Sequence, residues 1–357
     1  MDPFITIQQA SASYPVFVGR NILGCTGSML EPRGRVFVIT SDALKSRFGT
    51  KVAQSFEPVA DVIAMREGET HKTVTTAAHI VTELLERGAK RDSMAVVVGG
   101  GMIGDTAGFA ASIFLRGIDL VHVPTTLLAQ VDSSLGGKLA VNHPKGKNLI
   151  GSFFPPRAVI SDTSVLTTLS ERELLSGIYE ALKGGIIGDP SLFELFESSR
   201  GLVVARESAT IDTMVKKAIQ VKAAIVSADE KESDLRRLLN YGHTIAHGIE
   251  AAMHYEGITH GEAVAWGMIG ANAIAVKRRL LPKAEAKRIE EAILEYEPSQ
   301  LPKLNKKEIL AATEHDKKNT GTQRVMVFPR RVGECVVVTD VTEKEVKYGI
   351  EAVVREG

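Results

Sequence analysis

The sequence predicts a parallel α/β domain over residues 1–167 followed by a mostly helical domain over 168–357. Short β-branched runs alternate with helix-spaced stretches in the first half, the pattern of a parallel sheet with crossover helices. After about residue 165 such runs nearly vanish, and long helix-forming stretches follow one another. Length agrees, because 357 residues at roughly 100–200 per domain make two domains, or one large α/β unit with an appendage.

In chain order, the strand candidates are VFVIT at 36–40, VADVIAM at 59–65, SMAVVVGG at 93–100 and DLVHVPT at 119–125, with a helical spacing over 71–88. The helical half reads as stretches at 202–228, 235–254, 260–280 and 283–296, broken at Asp189-Pro190, Gly257 and Leu281-Pro282. Strand-like runs return only at 324–329 and 335–339. There is no internal repeat and no low-complexity tract, so the boundary near 165–170 rests on the change of period alone.

Composition narrows the function. Hydrophobic residues make up 44% and charged residues 24%, which excludes a disordered or fibrous chain. The 43 Lys and Arg balance the 43 Asp and Glu, leaving no excess field for nucleic acid or an anionic membrane. A small-molecule partner is the default. Cys25 and Cys335 fit no paired metal or redox spacing, which points to a reducing compartment. The start MDPFITIQQA lacks a basic region followed by an apolar one, and no run approaches the ~18 apolar residues of a membrane span, so the expected location is the cytoplasm.

Chemistry first shows in MAVVVGGGMIGDTAG at 94–108, where Gly99, Gly101 and Gly104 satisfy G-x-G-x-x-G between an apolar strand and a helix. Glycines there let backbone approach a pyrophosphate at a helix N-terminus, the device of a Rossmann-like domain; a plain tight turn is the bland alternative. The acid expected at the end of the next strand is missing, since Asp119 precedes that strand. Asp105 orients a nicotinamide or caps the helix.

Four of the nine histidines, His243, His247, His254 and His260, fall within 18 residues. His243 and His247 share one helical face at i, i+4, and His260 follows a turn at the start of the next helix. Imidazoles so placed suit a divalent metal completed by a carboxylate, although each one alone is more simply a surface or core residue, and spacing leaves open which two are ligands. Cations and amides gather near glycine-rich turns: Lys138, Lys147, Asn148, Arg236 and Asn240. They suit a phosphate or carboxylate, although an isolated lysine is ordinarily solvated surface. Nucleotide, metal and oxyanion together support hydride chemistry on a phosphorylated hydroxy compound.

With these residues in view, the chain resembles the sugar phosphate cyclase family, in its 3-dehydroquinate synthase branch. The carrying segments are GGGMIGDTAGFAAS at 99–112, FLRGIDLVHVPTTLLAQVDSSLGGKLAVNHPKGKNLIG at 114–151, YEALKGGII at 179–187, RRLLNYGHTIAHGIEAA at 236–252, HGEAVAWGM at 260–268 and DKKNTG at 316–321. The resemblance implies an NAD-binding α/β domain, a helical metal-binding domain holding Zn2+ or Co2+, and a homodimer with its active site in the interdomain cleft. It also implies the reaction, a carbon–oxygen lyase step of the shikimate pathway to aromatic amino acids. In it 3-deoxy-D-arabino-heptulosonate 7-phosphate gives 3-dehydroquinate and phosphate by transient oxidation, phosphate elimination, re-reduction and intramolecular aldol closure.

Carried over residue by residue, the resemblance implies Glu180, His243 and His260 as metal ligands. Cofactor contacts are Asp42, Glu69, Lys72, Gly100, Gly101, Asp105, Thr125, Thr126, Asp132, Lys138, Lys147, Thr168 and Glu173. The acid missing from the fingerprint is then Asp42. Substrate contacts are Asp132, Lys138, Asn148, Lys183, Lys222, Arg236, Asn240, His247 and Lys317 or Lys318, with Arg116 reaching the phosphate from a neighbouring subunit. Of these, Lys138, Lys183, Lys222, Arg236, Asn240 and His247 carry the catalytic work. Two departures stand out: Tyr179 where a small residue is common, and Gly184-Gly185 where an aromatic is common, so that the metal helix is expected to pack differently or bend. The competing readings are a sister cyclase, a metal-dependent polyol dehydrogenase that releases NADH, and a non-catalytic binder. The joint presence of Asp132, Lys222, Asn240 and His247 favours the dehydroquinate branch.

Overall fold

The computed structural model describes residues 1–232, 234–314 and 324–354. The chain divides into two units, Met1–Leu169 and Ser170–Gly357.

The first unit is built on a seven-stranded sheet of β1 (Ile5–Gln8), β2 (Ser13–Gly19), β3 (Val36–Ser41), β4 (Asp61–Met65), β5 (Met94–Gly99), β6 (Asp119–Pro124) and β9 (Ala158–Asp162), in the order β1-β2-β9-β6-β5-β3-β4. Every neighbouring pair is parallel except β1 with β2 at one edge. Strands β3, β5 and β9 are buried along their whole length, and β3 and β5 accordingly read as nearly unbroken apolar runs, since a parallel sheet covered on both faces has no solvent side to encode; β9 is shorter and ends in Ser161 and Asp162. One layer comes from α1 (Val74–Glu86), which buries Ala77, Ile80 and Leu84, and another helix, α2 (Gly101–Ile113), buries Ile103, Ala107 and Ala110.

Four expected strands are present within two residues of their limits. Strands β1, β2 and β9 were not expected, nor was the separate antiparallel hairpin of β7 (Lys138–His143) and β8 (Gly146–Phe153). In β2, Pro15 breaks the strand signal, yet it pairs only with Thr6 of the edge strand, and the parallel register with β9 begins one residue later at Val16. The hairpin is masked by glycines whose role is close approach: a Cβ on Gly151 would lie 2.2 Å from the Leu139 carbonyl oxygen.

The second unit contains α3 (Glu171–Gly188), α4 (Pro190–Ser198), α5 (Arg200–Val204), α6 (Ser208–Ala228), α7 (His243–Ala252), α8 (His260–Lys277), α9 (Lys283–Leu294), α10 (Lys306–Glu314), the antiparallel pair β10 (Arg324–Arg331) and β11 (Glu334–Val341), and α11 (Glu343–Val353). The expected helix over 235–254 is two elements, a 3-10 turn at Leu235–Asn240 and α7, divided at Gly242 with φ +82°. The stretch 202–228 also divides, where Arg206 turns left-handed and the Glu207 carboxylate accepts from the amides of Ala209 and Thr210 to start α6. Asp189-Pro190 breaks the chain as expected, with Asp189 capping α4 and Pro190 in its first turn.

Of the two expectations for the metal helix, packing differently or bending, no break accompanies the glycines. Helix α3 runs unbroken through Gly184 and Gly185, and Gly185 faces α4 so closely that a Cβ would meet the Phe193 amide nitrogen at 2.7 Å. Tyr179 is buried and donates its hydroxyl to the Tyr296 carbonyl at 2.8 Å, so its size is used in the core. No helix among the described residues is long and apolar enough to cross a membrane.

One ion pair gives a pH prediction. Arg278 donates to both oxygens of Glu345 at 2.6 and 2.7 Å, and this holds the Glu345 carboxyl down to about 2. A depressed carboxyl stabilises the fold above its unfolded value of about 4.3 and loses that contribution as pH falls towards 2. Glu345→Gln should therefore lower Tm at neutral pH, and the difference from the parent should shrink steadily as melting is repeated from pH 5 down to pH 2.5.

Candidate functional site

In the first unit, β5 ends at Gly99, Gly100 is the extended residue before α2, and no side chain caps that helix. The amides of its first turn are therefore open to an anion. The space is reserved: a Cβ on Gly99 would meet Ile103 at 2.7 Å, on Gly100 would meet Thr126 at 2.9 Å, and on Gly101 would meet the Ser133 hydroxyl at 3.1 Å. Such a glycine cradle fits a dinucleotide pyrophosphate. The missing acid also has a place, because β3 lies beside β5 in the sheet and Asp42 directly follows β3. Asp42 thus follows the spatial neighbour of β5 and not β6, the next strand in sequence.

Around the turn, Thr125 donates its amide to the Gly99 carbonyl at 3.0 Å, and the Thr126 hydroxyl accepts from the Ala129 amide at 3.2 Å, opening the short helix Ala129–Ser133 that carries Asp132. Buried Lys72 donates to Asp105 at 2.5 Å and to the Asn148 side-chain carbonyl at 2.6 Å. Burial raises the Asp105 carboxyl above its ordinary value; Lys72 opposes this, while the Glu69 and Asp132 carboxylates push the same way as burial. Lys138 and Lys147 lie on the β7–β8 hairpin, and Thr168 ends the helical turn Thr163–Thr168 that follows β9. Arg116 stands apart: it precedes β6, whereas Thr125 follows that strand. Glu173 belongs to the second unit, in the first turn of α3.

In the second unit, three helices bring Glu180, His243 and His260 together, with one ligand atom from each lying within 4.8 Å of the others. Glu180 comes from the middle of α3, while His243 and His260 are the first residues of α7 and α8. The His243 and His260 Nε2 atoms stand 3.7 and 3.6 Å from Glu180 Oε1. Their other nitrogens are tied back, His243 Nδ1 to the Tyr241 carbonyl at 3.2 Å and His260 Nδ1 to Glu250 at 3.4 Å. Neither Glu180 oxygen accepts a hydrogen bond although both are buried; Lys183 pairs with one of them as a point charge. A buried carboxylate facing two anchored imidazoles fits a divalent metal. Burial lowers the His260 proton affinity, but the hydrogen bond and charge of Glu250 with the charge of Glu180 outweigh it and raise the net value.

This decides between the histidines. His247 is beside the set, its ring 5.5 Å from that of His243, without joining the ligand atoms, and His254 lies beyond the end of α7. Near them, Lys183 donates to the Leu239 carbonyl at 2.8 Å, buried Arg236 donates to the Glu230 carbonyl at 2.5 Å, and Asn240 donates to Glu232 at 2.5 Å. Lys222 is buried on α6. Lys317 and Lys318 lie outside the described residues. Sequence reasoning missed Glu250 and Glu232. Glu250 had a usable signal, since His243, His247 and Glu250 are spaced i, i+4, i+7 on one face. Replacing Glu250 with Gln should weaken metal binding about 10–100-fold, read by chelator competition, while leaving the fold cooperative.

The fold and this pair of sites suit the class of nicotinamide- and metal-dependent enzymes. Family models for the N-terminal and C-terminal parts of 3-dehydroquinate synthase match residues 62–176 and 177–319, and the chain belongs to the 3-dehydroquinate synthase family. A 3-dehydroquinate synthase of Koribacter versatilis is 40% identical over 97% of both chains, and one of Thermoanaerobacter pseudethanolicus is 41% identical over 96% of this chain and 98% of its own. Among solved structures, a 2-deoxy-scyllo-inosose synthase with carbaglucose-6-phosphate, NAD+ and Co2+ matches with a TM-score of 0.88 at 29% identity, covering 98% of this chain and 100% of that one. A glycerol dehydrogenase of Schizosaccharomyces pombe, at 15% identity and a TM-score of 0.70 over 99% of this chain and 90% of its own, shares the fold alone.

Proposed function

We propose that the protein converts 3-deoxy-D-arabino-heptulosonate 7-phosphate into 3-dehydroquinate and phosphate, with NAD+ and a divalent metal, Zn2+ or Co2+, as resident cofactors. The observation that carries this is the Glu180, His243, His260 set, a buried carboxylate with two half-buried, anchored imidazoles, in a chain of this family. The solved 2-epi-5-epi-valiolone synthase of Streptomyces hygroscopicus, 28% identical, holds NAD+ and Zn2+, which supports the cofactor assignment.

When bound, the metal would supply acidification of a chelated hydroxyl and NAD+ would supply a reversible hydride acceptor, with no net redox change. The rest falls to side chains. Glu180, His243 and His260 hold the metal. The turn at Gly100 and Gly101, with Asp42, Glu69, Lys72, Asp105, Thr125, Thr126, Asp132, Lys138, Lys147, Thr168 and Glu173, holds the dinucleotide. Lys138, Asn148, Lys183, Lys222, Arg236, Asn240 and Lys317 or Lys318 bind and orient the substrate, and the lysines and Arg236 balance the charge that develops before phosphate leaves. His247 relays protons beside the chelated hydroxyl, and the C6 proton passes to the substrate's own phosphate.

The active form is a cytoplasmic homodimer in which Arg116 of the partner subunit reaches the phosphate. Its position before β6, with Thr125 after that strand, and the two free cysteines support this. The test is a substrate panel. Heptulosonate phosphate with NAD+ should release phosphate, and a chelator should stop it. Release only from a hexose phosphate would assign a sister cyclase, and NADH accumulating from a polyol would assign a dehydrogenase.

A further inference from the structure

Asn142 has no part in the site described so far, yet it lies where four of its residues meet. It is half-buried at the end of β7. Its side-chain amide donates to Glu69 Oε1 at 2.7 Å, and its side-chain carbonyl accepts from the backbone amide of Asn148 at 3.0 Å. Its own backbone amide donates to the Lys72 carbonyl at 2.8 Å, and it forms a parallel bridge with Thr73. Lys72 closes the circuit through Asp105 and Asn148. Asn148 is held at φ +54°, a left-handed conformation that asparagine tolerates better than most side chains.

We propose that Asn142 is a positioning residue that fastens the cofactor segment 69–72 to the substrate hairpin. Its donor half fixes Glu69 and its acceptor half fixes the backbone of Asn148, so one side chain serves both ligands by separate contacts. This rests on the function proposed above, in which Glu69 serves NAD+ and Asn148 serves the substrate. An asparagine is required by the geometry, since one face must give a proton to a carboxylate while the other receives one from an amide.

The two halves separate by substitution. Asn142→Asp keeps the acceptor for Asn148 but places a second carboxylate against Glu69, so the dissociation constant for NAD+, measured by calorimetry without substrate, should rise about tenfold while KM for heptulosonate phosphate at saturating NAD+ stays within about twofold. Asn142→Ala removes both halves and should raise both constants. The backbone pairing with Thr73 does not involve the side chain, and a cooperative thermal melt of each variant checks that it folds. The proposal is overturned if Asn142→Asp leaves NAD+ affinity unchanged, if it raises KM as much as the NAD+ constant, or if Asn142→Ala leaves KM unchanged. A parent protein that does not turn over heptulosonate phosphate would instead overturn the proposed function, whereas an active parent with indifferent variants removes only the role of Asn142.

Discussion

Glu180→Gln should abolish turnover, by about a thousandfold or more, while the protein still folds. The substitution keeps shape and volume in α3 but replaces a charged ligand oxygen by a neutral amide, in a site where both oxygens are buried and free of hydrogen bonds. Lys183 loses its counter-charge, so some loss of Tm accompanies the change. Metal content after dialysis separates the two effects. The variant should come off the column metal-poor and stay inactive at every NAD+ concentration. A variant that retained metal and activity would remove Glu180 from the ligand set.

Gly267→Ala is the second large effect, and it acts without replacing any candidate ligand. A Cβ at Gly267 in α8 would lie 2.0 Å from the Gly242 carbonyl oxygen and 3.0 Å from the Ala246 amide nitrogen, both of them backbone, which cannot swing aside. Gly242 immediately precedes His243, and its φ of +82° sets the direction in which α7 starts. A single methyl group should therefore destabilise the fold by about 1–3 kcal/mol and also weaken metal binding, since α7 must move away from α8. Gly201→Ala is the control. Nothing lies within 4 Å of its Cβ, so the same change in α5 should be neutral, or stabilising by up to about 1 kcal/mol. Thermal melts and chelator competition on the two variants check the pair.

What the sequence reveals follows from what is encoded locally. Strands β3, β5 and β6 are legible because burial on both faces makes apolar residues predominate along them, and the glycine turn is legible because its spacing is short-range. The histidine cluster pointed to a metal because two ligands begin consecutive helices, α7 and α8, and so lie close in sequence. Glu180 arrives from α3, brought there by tertiary packing, and only the family resemblance supplied it. The same resemblance supplied Asp42, whose place beside the glycine turn depends on strand order, which no local pattern records. The break at Gly242 was missed because the helical period continues through it, and its cause is the close approach of α8, a contact 25 residues away in the chain.

In the proposed function, one protein oxidises and then re-reduces its substrate on a resident nicotinamide. The direct test gives metal-loaded protein a large excess of heptulosonate phosphate over NAD+ and follows phosphate and nicotinamide absorbance together. Phosphate should appear until the substrate is consumed, in amounts far above the NAD+ present, with 3-dehydroquinate formed and no NADH left at the end. Phosphate release that stops after one equivalent of NAD+, with NADH accumulating in step, would contradict the account.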